Sequence, residues 1–306
     1  MTSDGVRTTV IVITWRGRDH IDACLDALAA QTRPHRTLVV DNASDDGTAG
    51  LLAARDGIEV LRLPRNLGYA GGLAAALPRV DTTFTAWLND DAAPAPDWLE
   101  VVEGNLSATT RAAAASSVLL TPDGRVQSTG VRLTADGHGA DSTGRGEVFG
   151  FCGGAALLRT DVLRDAGGVP AEFFCYYEDT DTAWRLRLAG FDVVRTEATA
   201  AHLHGASTRP GSVLFHRWNE GNRLLTLLRC APAGVALREL ARFAAITVLL
   251  PWRRLPDPPP NLRAGVRVRV LMKVAFLLPS ALRARWRIGR SARVSRRAVW
   301  ATWAGR

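Results

Sequence analysis

The residues best suited to chemistry are two carboxylate clusters, Asn89-Asp90-Asp91 and Glu178-Asp179-Thr180-Asp181. Adjacent carboxylates repel, so Asp90 and Asp91 need a cation or a structural partner to offset their charge. After a buried strand a divalent metal is the natural compensation. Mg2+ or Mn2+ takes oxygen ligands, commonly one or two carboxylates plus substrate phosphates. A solvated turn in which Asp90 caps the next helix would use the same residues without a metal. The second cluster opens a helix, whose positive end favours acids. Aromatics flank it on both sides, and in partly apolar surroundings a carboxylate can be tuned as a general base. His202 and His204 stand two residues apart on extended chain, so both could approach one metal, or the pair could be incidental.

Further polar residues sit where apolar runs end. Thr9–Ile13 leads into Thr14-Trp15-Arg16, and Leu38–Val40 into Asp41-Asn42-Ala43-Ser44-Asp45-Asp46-Gly47. Ile58–Leu63 leads through Pro64 to Arg65-Asn66-Leu67-Gly68-Tyr69-Ala70-Gly71-Gly72. A glycine-rich turn before a helix offers free backbone N–H groups and a positive dipole end to a phosphate. The spacing matches neither the dinucleotide fingerprint nor a P-loop.

The elements that must position these groups follow from periodicity. Between the first two apolar runs, Ile21, Cys24, Leu25 and Leu28 recur at helical spacing, and Leu51 and Leu52 mark a second helix. Strand–helix–strand alternation, continued by Phe84–Leu88, predicts a parallel sheet covered by helices, with the loops after its strands along one ligand-binding edge. Beyond a helix at Pro96–Leu106 the pattern loosens. Phe149–Leu158 reads as a glycine-interrupted strand, Thr180–Ala189 as a helix and Phe191–Arg195 as a strand. Ser212–Leu250 reads as largely helical, and Val266–Leu278 begins another apolar helix. The four cysteines form no C-x-x-C pair, so neither a zinc site nor a disulfide framework is suggested. The N-terminus runs from a short polar leader into Thr9–Ile13 and lacks the longer apolar stretch of a signal peptide, so the cytoplasm is the expected location.

In their order along the chain, these motifs resemble the family 2 glycosyltransferases of the GT-A fold, particularly the bacterial rhamnosyltransferase and galactofuranosyltransferase-like branch. The residues that carry the resemblance are Thr14-Trp15-Arg16, Val40–Thr48, Arg65–Gly72, Leu88–Asp91, Tyr177–Asp181, and His202 with Ser207. It spans about 200 residues and fades after Leu228. It implies an inverting transfer of a sugar from a dTDP- or UDP-linked donor to a hydroxyl acceptor, with a divalent metal, Mg2+ or Mn2+, as cofactor. Thr14, Trp15, Arg16, Asp41, Asn42, Arg65, Asn66, Gly68, Asn89 and Asp90 are implied donor-binding residues. Asn89 replaces the first acid of the family's D-x-D motif, which leaves Asp91 as metal ligand with His202, and His204 as its rival. Asp179 matches the catalytic base, and Glu178 is placed to hold the acceptor. A nucleotidyltransferase with a similar sheet is the alternative among enzymes.

Charge divides the chain. The net charge of +8 is concentrated after Pro251, where 14 Lys or Arg face one acid, Asp257. The first 250 residues are net negative. This asymmetry allows a nucleic-acid-binding arm, but that reading leaves the ordered acidic and glycine-rich motifs unexplained, and no nucleic acid is expected. Trp252, Trp286, Trp300 and Trp303 among arginines have the composition of interfacial helices on anionic lipid. The organisation read from sequence is therefore a catalytic domain over 1–211, with a nucleotide-sugar-binding half over about 1–110 and an acceptor half over 111–211. A helical, arginine-rich region, 212–306, follows, peripheral at the inner face of the cell membrane. The acceptor expected there is a glycan, a lipid-linked precursor or a small molecule.

Overall fold

A computed structural model describes residues 5–203, 211–252 and 256–305. The first strand, β1 (Thr8–Thr14), sends Val10 and Val12 into one core cluster and Ile11 and Ile13 into another. Both faces are covered, which is why the run is continuously apolar rather than alternating. Helix α1 (Ile21–Ala29) buries the predicted stripe of Ile21, Cys24, Leu25 and Leu28 and returns the chain to β2 (His35–Asp41). The pattern repeats through α2 (Thr48–Ala53), β3 (Ile58–Arg62), α3 (Gly68–Ala76) and β4 (Phe84–Asn89). These strands pair in parallel in the order β3-β2-β1-β4. Thr14 lies opposite Asp41, Asp41 opposite Arg62, and Ile13 opposite Asn89, so the strands end together at one edge.

The middle of the chain adds elements that periodicity did not show. After β5 (Ala92–Pro94) and α4 (Trp98–Ala108), β6 (Ala112–Leu120) pairs with β7 (Val126–Ser128), while β8 (Gly130–Leu133) and β9 (Gly139–Ser142) form a separate ribbon. Strand β10 (Ala155–Arg159) runs antiparallel between β4 and β6. Helices α5 (Thr160–Asp165) and α6 (Glu178–Leu188) lead to β11 (Asp192–His202), which is parallel to β6 and ends against β5. The result is a nine-stranded, mostly parallel sheet in the order β3-β2-β1-β4-β10-β6-β11-β5, with β7 on β6 and helices on its faces. Of the predicted strand Phe149–Leu158, only the end is strand. Gly153 and Gly154 form a turn in which a Cβ on Gly154 would meet Leu119 at 3.0 Å and Asn89 at 3.4 Å.

The C-terminal helices are α7 (Val213–Cys230), α8 (Ala233–Leu249), α9 (Ala264–Ser291) and α10 (Arg296–Trp303). Helix α9 continues past Leu278 and through Pro279, which lies on its exposed side, to a length of about 42 Å. These helices share a core with α6: Leu224, Leu227, Val270, Val274 and Ile288 pack with Phe149 and Trp184. Trp300 stacks on Trp184, and Trp303 packs against Phe149 and under Arg187, so two of the four tail tryptophans face inward. A buried ion triad ties the layers, with Asp181 holding Arg185 at 2.7 Å and Arg229 at 2.8 Å. Removing one member would strand a buried charge, which is why such a triad fixes the seat of α6 on α7.

Candidate active site

The loops at the C-terminal edge of β1 to β4 are locked to one another by side chains from the predicted motifs. Asp41 is buried; it accepts from Ser44 N–H at 2.8 Å and pairs with Arg62. Asn42 accepts from Leu67 N–H and donates to the Gly68 carbonyl, both at 3.0 Å, so the end of β2 holds the glycine-rich turn. Asn66 caps the same turn, accepting from Gly68 N–H at 2.7 Å. Gly68 has φ 73°, and a Cβ there would lie 2.2 Å from the Phe174 carbonyl, so only glycine fits. Trp15, Arg16 and Arg65 line the exposed lip; Arg16 pairs with Asp45 at 2.6 Å and lies over the Trp15 ring. Thr14 is buried under Gly17, where an added Cβ would sit 2.2 Å from the Thr14 hydroxyl and 2.7 Å from Asp90.

Each carboxylate of the Asp90-Asp91 pair has its own imidazole. Asp90 faces His20 at 3.2 Å, and that hydrogen bond raises His20 above its ordinary pKa against the opposing effect of burial. Asp91 Oδ1 lies 3.1 Å from His202 Nε2, and Asn89 Nδ2 lies 3.0 Å from the same nitrogen. His202 Nδ1 faces Gln127 Oε1 at 3.0 Å. An acceptor there favours the proton on Nδ1 and turns the Nε2 lone pair toward Asp91 and the Asn89 amide donor. At this separation the Asp91 oxygen and the His202 nitrogen can share a proton, which holds Asp91 below its ordinary range against burial, and the same two donors suit a divalent ion. Two such groups are too few for a complete shell. Among the described residues no cluster of three or more His, Cys, Asp or Glu side chains forms a metal site. An ion held there would take its remaining ligands from water or from a bound anion.

The second carboxylate cluster resolves into separate jobs. Asp181 belongs to the buried ion triad. Asp179 Oδ2 accepts from Gly153 N–H at 3.1 Å, and Oδ1 accepts from Thr180 N–H at 2.5 Å and the Thr180 hydroxyl at 3.1 Å. Burial raises the Asp179 carboxyl above its ordinary range, although these hydrogen bonds favour its ionised form. Glu178 is buried, with no hydrogen-bond partner for Oε2 among the described residues, and burial followed by the charge of Asp179 holds its carboxyl well above the usual range. The turn before them is strained, since Phe174, Tyr176 and Tyr177 all have left-handed φ, 67–71°.

The two clusters meet at Gly153-Gly154. Gly153 N–H bonds Asp179, while the Gly154 carbonyl accepts from Asn89 N–H at 3.0 Å. The Tyr69 hydroxyl donates to the Gly153 carbonyl at 2.6 Å, bringing in the glycine-rich helix. The structure thus gathers Thr14, Asp41, Asn42, Asn66, Gly68, Asn89, Asp90, Asp91, Glu178, Asp179 and His202 at one edge, with Trp15, Arg16 and Arg65 at its lip. His204 and Ser207 lie outside the described residues. Sequence reasoning missed His20, Gln127 and the glycine turn. A lone histidine in a loop and a glutamine in a three-residue strand carry no local signal, whereas Gly153-Gly154 was visible as an interruption of an apolar run.

Comparison with known proteins gives a consistent set. A family model described as glycosyl transferase family 2 matches residues 9–167, just over half of the chain. The pre-mycofactocin glycosyltransferase of Mycobacterium tuberculosis is 30% identical over 198 residues, covering 60% of this chain and 41% of that protein. The chain therefore spans about two fifths of the length of that curated relative. Among solved structures, the mannosyltransferase PcManGT from Pyrobaculum calidifontis in complex with GDP-Man and Mn2+ aligns with a TM-score of 0.53 and 23% identity. That alignment covers 98% of this chain and 80% of the mannosyltransferase. S. aureus TarS 1-349 in complex with UDP-GlcNAc gives a TM-score of 0.55 and 18% identity, covering 97% and 91%. Both share the GT-A fold.

Glu178 provides a stability test of this electrostatic picture. A carboxyl whose folded-state pKa is raised loses stability as pH climbs from its unfolded value, about 4.3, through its folded value. Glu178→Gln is expected to raise stability in urea titrations by about 1 kcal/mol or more at pH 8 and to change it little at pH 4.5. Equal effects at both pH values would show that the buried charge is not what the substitution relieves.

Proposed function

The chain belongs to glycosyl transferase family 2, and we propose that it transfers a sugar, with inversion, from a dTDP- or UDP-linked donor to a hydroxyl of a lipid-linked or cell-envelope glycan precursor. The observation that carries this reading is the Gly153-Gly154 turn, which bonds Asp179 on one side and Asn89, beside Asp91, on the other. A base and a diphosphate-binding pair on one turn suit displacement at a carbon held between them. The GDP-Man and UDP-GlcNAc bound by two fold neighbours, one of them with Mn2+, support the donor class and the divalent ion. The rhamnosyl or galactofuranosyl specificity rests on the motif resemblance.

In this reading Thr14, Trp15, Arg16, Asp41, Asn42, Arg65, Asn66 and Gly68 hold the nucleotide, and Asn89 and Asp90 the diphosphate-sugar. Asp91 and His202 hold Mg2+ or Mn2+, which when bound offsets charge on the departing diphosphate. Asp179 takes the proton of the acceptor hydroxyl as that oxygen bonds the anomeric carbon. The bond from that carbon to the diphosphate oxygen breaks on the opposite face, and its electron pair leaves with the nucleotide. A base with a raised pKa is a stronger proton acceptor, and the N–H groups of Gly153 and Thr180 keep its ionised form accessible. Glu178, buried beside it, orients the acceptor.

The outer face of α9 supports a membrane location. Val268, Met272, Phe276, Leu282 and Trp286 recur at helical spacing and are exposed, Phe276 by 84% and Trp286 by 61%. Arg269, Arg283, Arg287 and Arg290 share that exposed side, and the helix contains no acid. Among the described residues no helix is long and apolar enough to cross a membrane. The face suits an interfacial helix on anionic lipid.

Asp179→Asn is expected to keep nucleotide-sugar binding, measured by calorimetry with Mn2+, and to lower turnover by roughly 10²-fold or more. Unchanged turnover would remove Asp179 from the role. Sedimentation at low salt is expected to carry the chain down with phosphatidylglycerol vesicles and not with phosphatidylcholine vesicles. The double variant Phe276→Ser, Trp286→Ser should stay in the supernatant; equal sedimentation of variant and parent would exclude the α9 face as the contact.

A further inference from the structure

The strained turn ahead of Glu178 is gripped by one side chain. The amide nitrogen of Asn222, a fully buried residue of α7, lies within hydrogen-bond distance of three carbonyls, Phe173 at 3.0 Å, Cys175 at 2.8 Å and Tyr176 at 2.8 Å, so its two N–H groups are shared among them. Its oxygen accepts from Lys273 Nζ of α9 at 2.7 Å. An ammonium has only donors and the three carbonyls only accept, so the amide has one satisfactory orientation, and Lys273 enforces it. Aromatic rings of α7 brace the same turn, with Trp218 stacked on Phe174 and Phe215 edge-on to Tyr176. Three left-handed non-glycine residues persist only where surrounding contacts over-determine them.

The choice of residue is informative. Lys273 is the single lysine in a chain that uses arginine for its other 37 basic positions. Its stem lies against Gly221, where an added Cβ would come within 3.2 Å of it. Among the described residues the ammonium forms no ion pair, and burial lowers it to about 8, an unfavourable setting for a group that serves packing alone. A compact, rotatable ammonium reaches a lone amide oxygen where a planar guanidinium fork is shaped for paired acceptors.

We propose that Lys273 and Asn222 are positioning residues that act through the Phe173–Tyr177 turn to set the direction of the Glu178-Asp179 carboxylates. The proposal deepens the reading of Asp179 as the base and rests on it. A clasp from the C-terminal helices thereby becomes part of the catalytic apparatus without touching substrate.

The test uses the full chain with Mn2+. The substrate is whichever of UDP-glucose, UDP-N-acetylglucosamine, dTDP-rhamnose and GDP-mannose the parent hydrolyses fastest, with kcat and KM resolved. Hydrogen–deuterium exchange is followed in parallel over residues 173–181. Lys273→Met keeps the stem and loses the ammonium; it is expected to lower kcat roughly tenfold or more, leave KM within about twofold, and speed exchange in that segment alone. Asn222→Asp, which replaces donors by acceptors facing three carbonyls, should show the same split more strongly. Parent-like kcat and exchange in Lys273→Met overturn the proposal, as does a kcat loss that comes with a matching rise in KM and faster exchange throughout the sheet. Asp179→Asn is measured alongside. Parent-like kcat there, with low kcat in Lys273→Met, removes the base assignment and overturns the proposal as an effect on Asp179, which separates that failure from a failure of the clasp itself.

Discussion

A tight two-glycine turn holds the site together. Gly153 offers its N–H to Asp179 and its carbonyl to the Tyr69 hydroxyl, and Gly154 offers its carbonyl to Asn89. A Cβ on Gly154 would press on Leu119 at 3.0 Å, while one on Gly153 would only touch Asp179, at 3.4 Å. The end of the fourth strand, the glycine-rich helix and the start of α6 are therefore fixed relative to one another by backbone groups. Only with that spacing set does it matter that one side carries a carboxylate–imidazole pair and the other the buried Glu178-Asp179 carboxyls.

The arrangement is destabilising where it is chemically useful. Glu178 and Asp179 are buried with raised carboxyls, and three residues before them sit in left-handed backbone. The opposing stability comes from outside the reacting groups. Asp181 binds Arg185 and Arg229 across two helices, Asn222 gathers the carbonyls of the strained turn, and Trp184 packs against Trp300. The C-terminal helices thus do two things with two faces: they hold the turn ahead of Glu178-Asp179 from within, and α9 turns an apolar, arginine-lined side outward. A strained site supported by rigid surroundings is what preorganised catalysis requires.

How much of this was legible in the sequence depended on whether the signal was local. The parallel half of the sheet was readable because strands buried on both faces must be continuously apolar, as Thr9–Ile13 is, and because Ile21, Cys24, Leu25 and Leu28 keep helical spacing. The polar residues at strand ends were readable for the same reason. Strand β6 was not: Ala112–Ala115 favours helix locally, and only burial between β10 and β11 makes it strand. Asp181 looked like its neighbours Glu178 and Asp179, and nothing in the sequence places Arg229 against it from 48 residues away. His20 and Gln127 are likewise partners made only by folding. In the tail, composition marked four tryptophans alike, yet Trp300 and Trp303 pack inward while Trp252 and Trp286 face out.

The central claim is that Asp91 and His202 on one side and Asp179 on the other address a single cation-bound sugar diphosphate. An anomalous difference map at the manganese edge, from crystals grown with UDP and Mn2+, tests it most directly. The account predicts one peak in contact with Asp91, His202 and the diphosphate, with the Asp179 carboxylate facing the same pocket across Gly153-Gly154. Manganese bound elsewhere, or a diphosphate seated away from that turn, would contradict it.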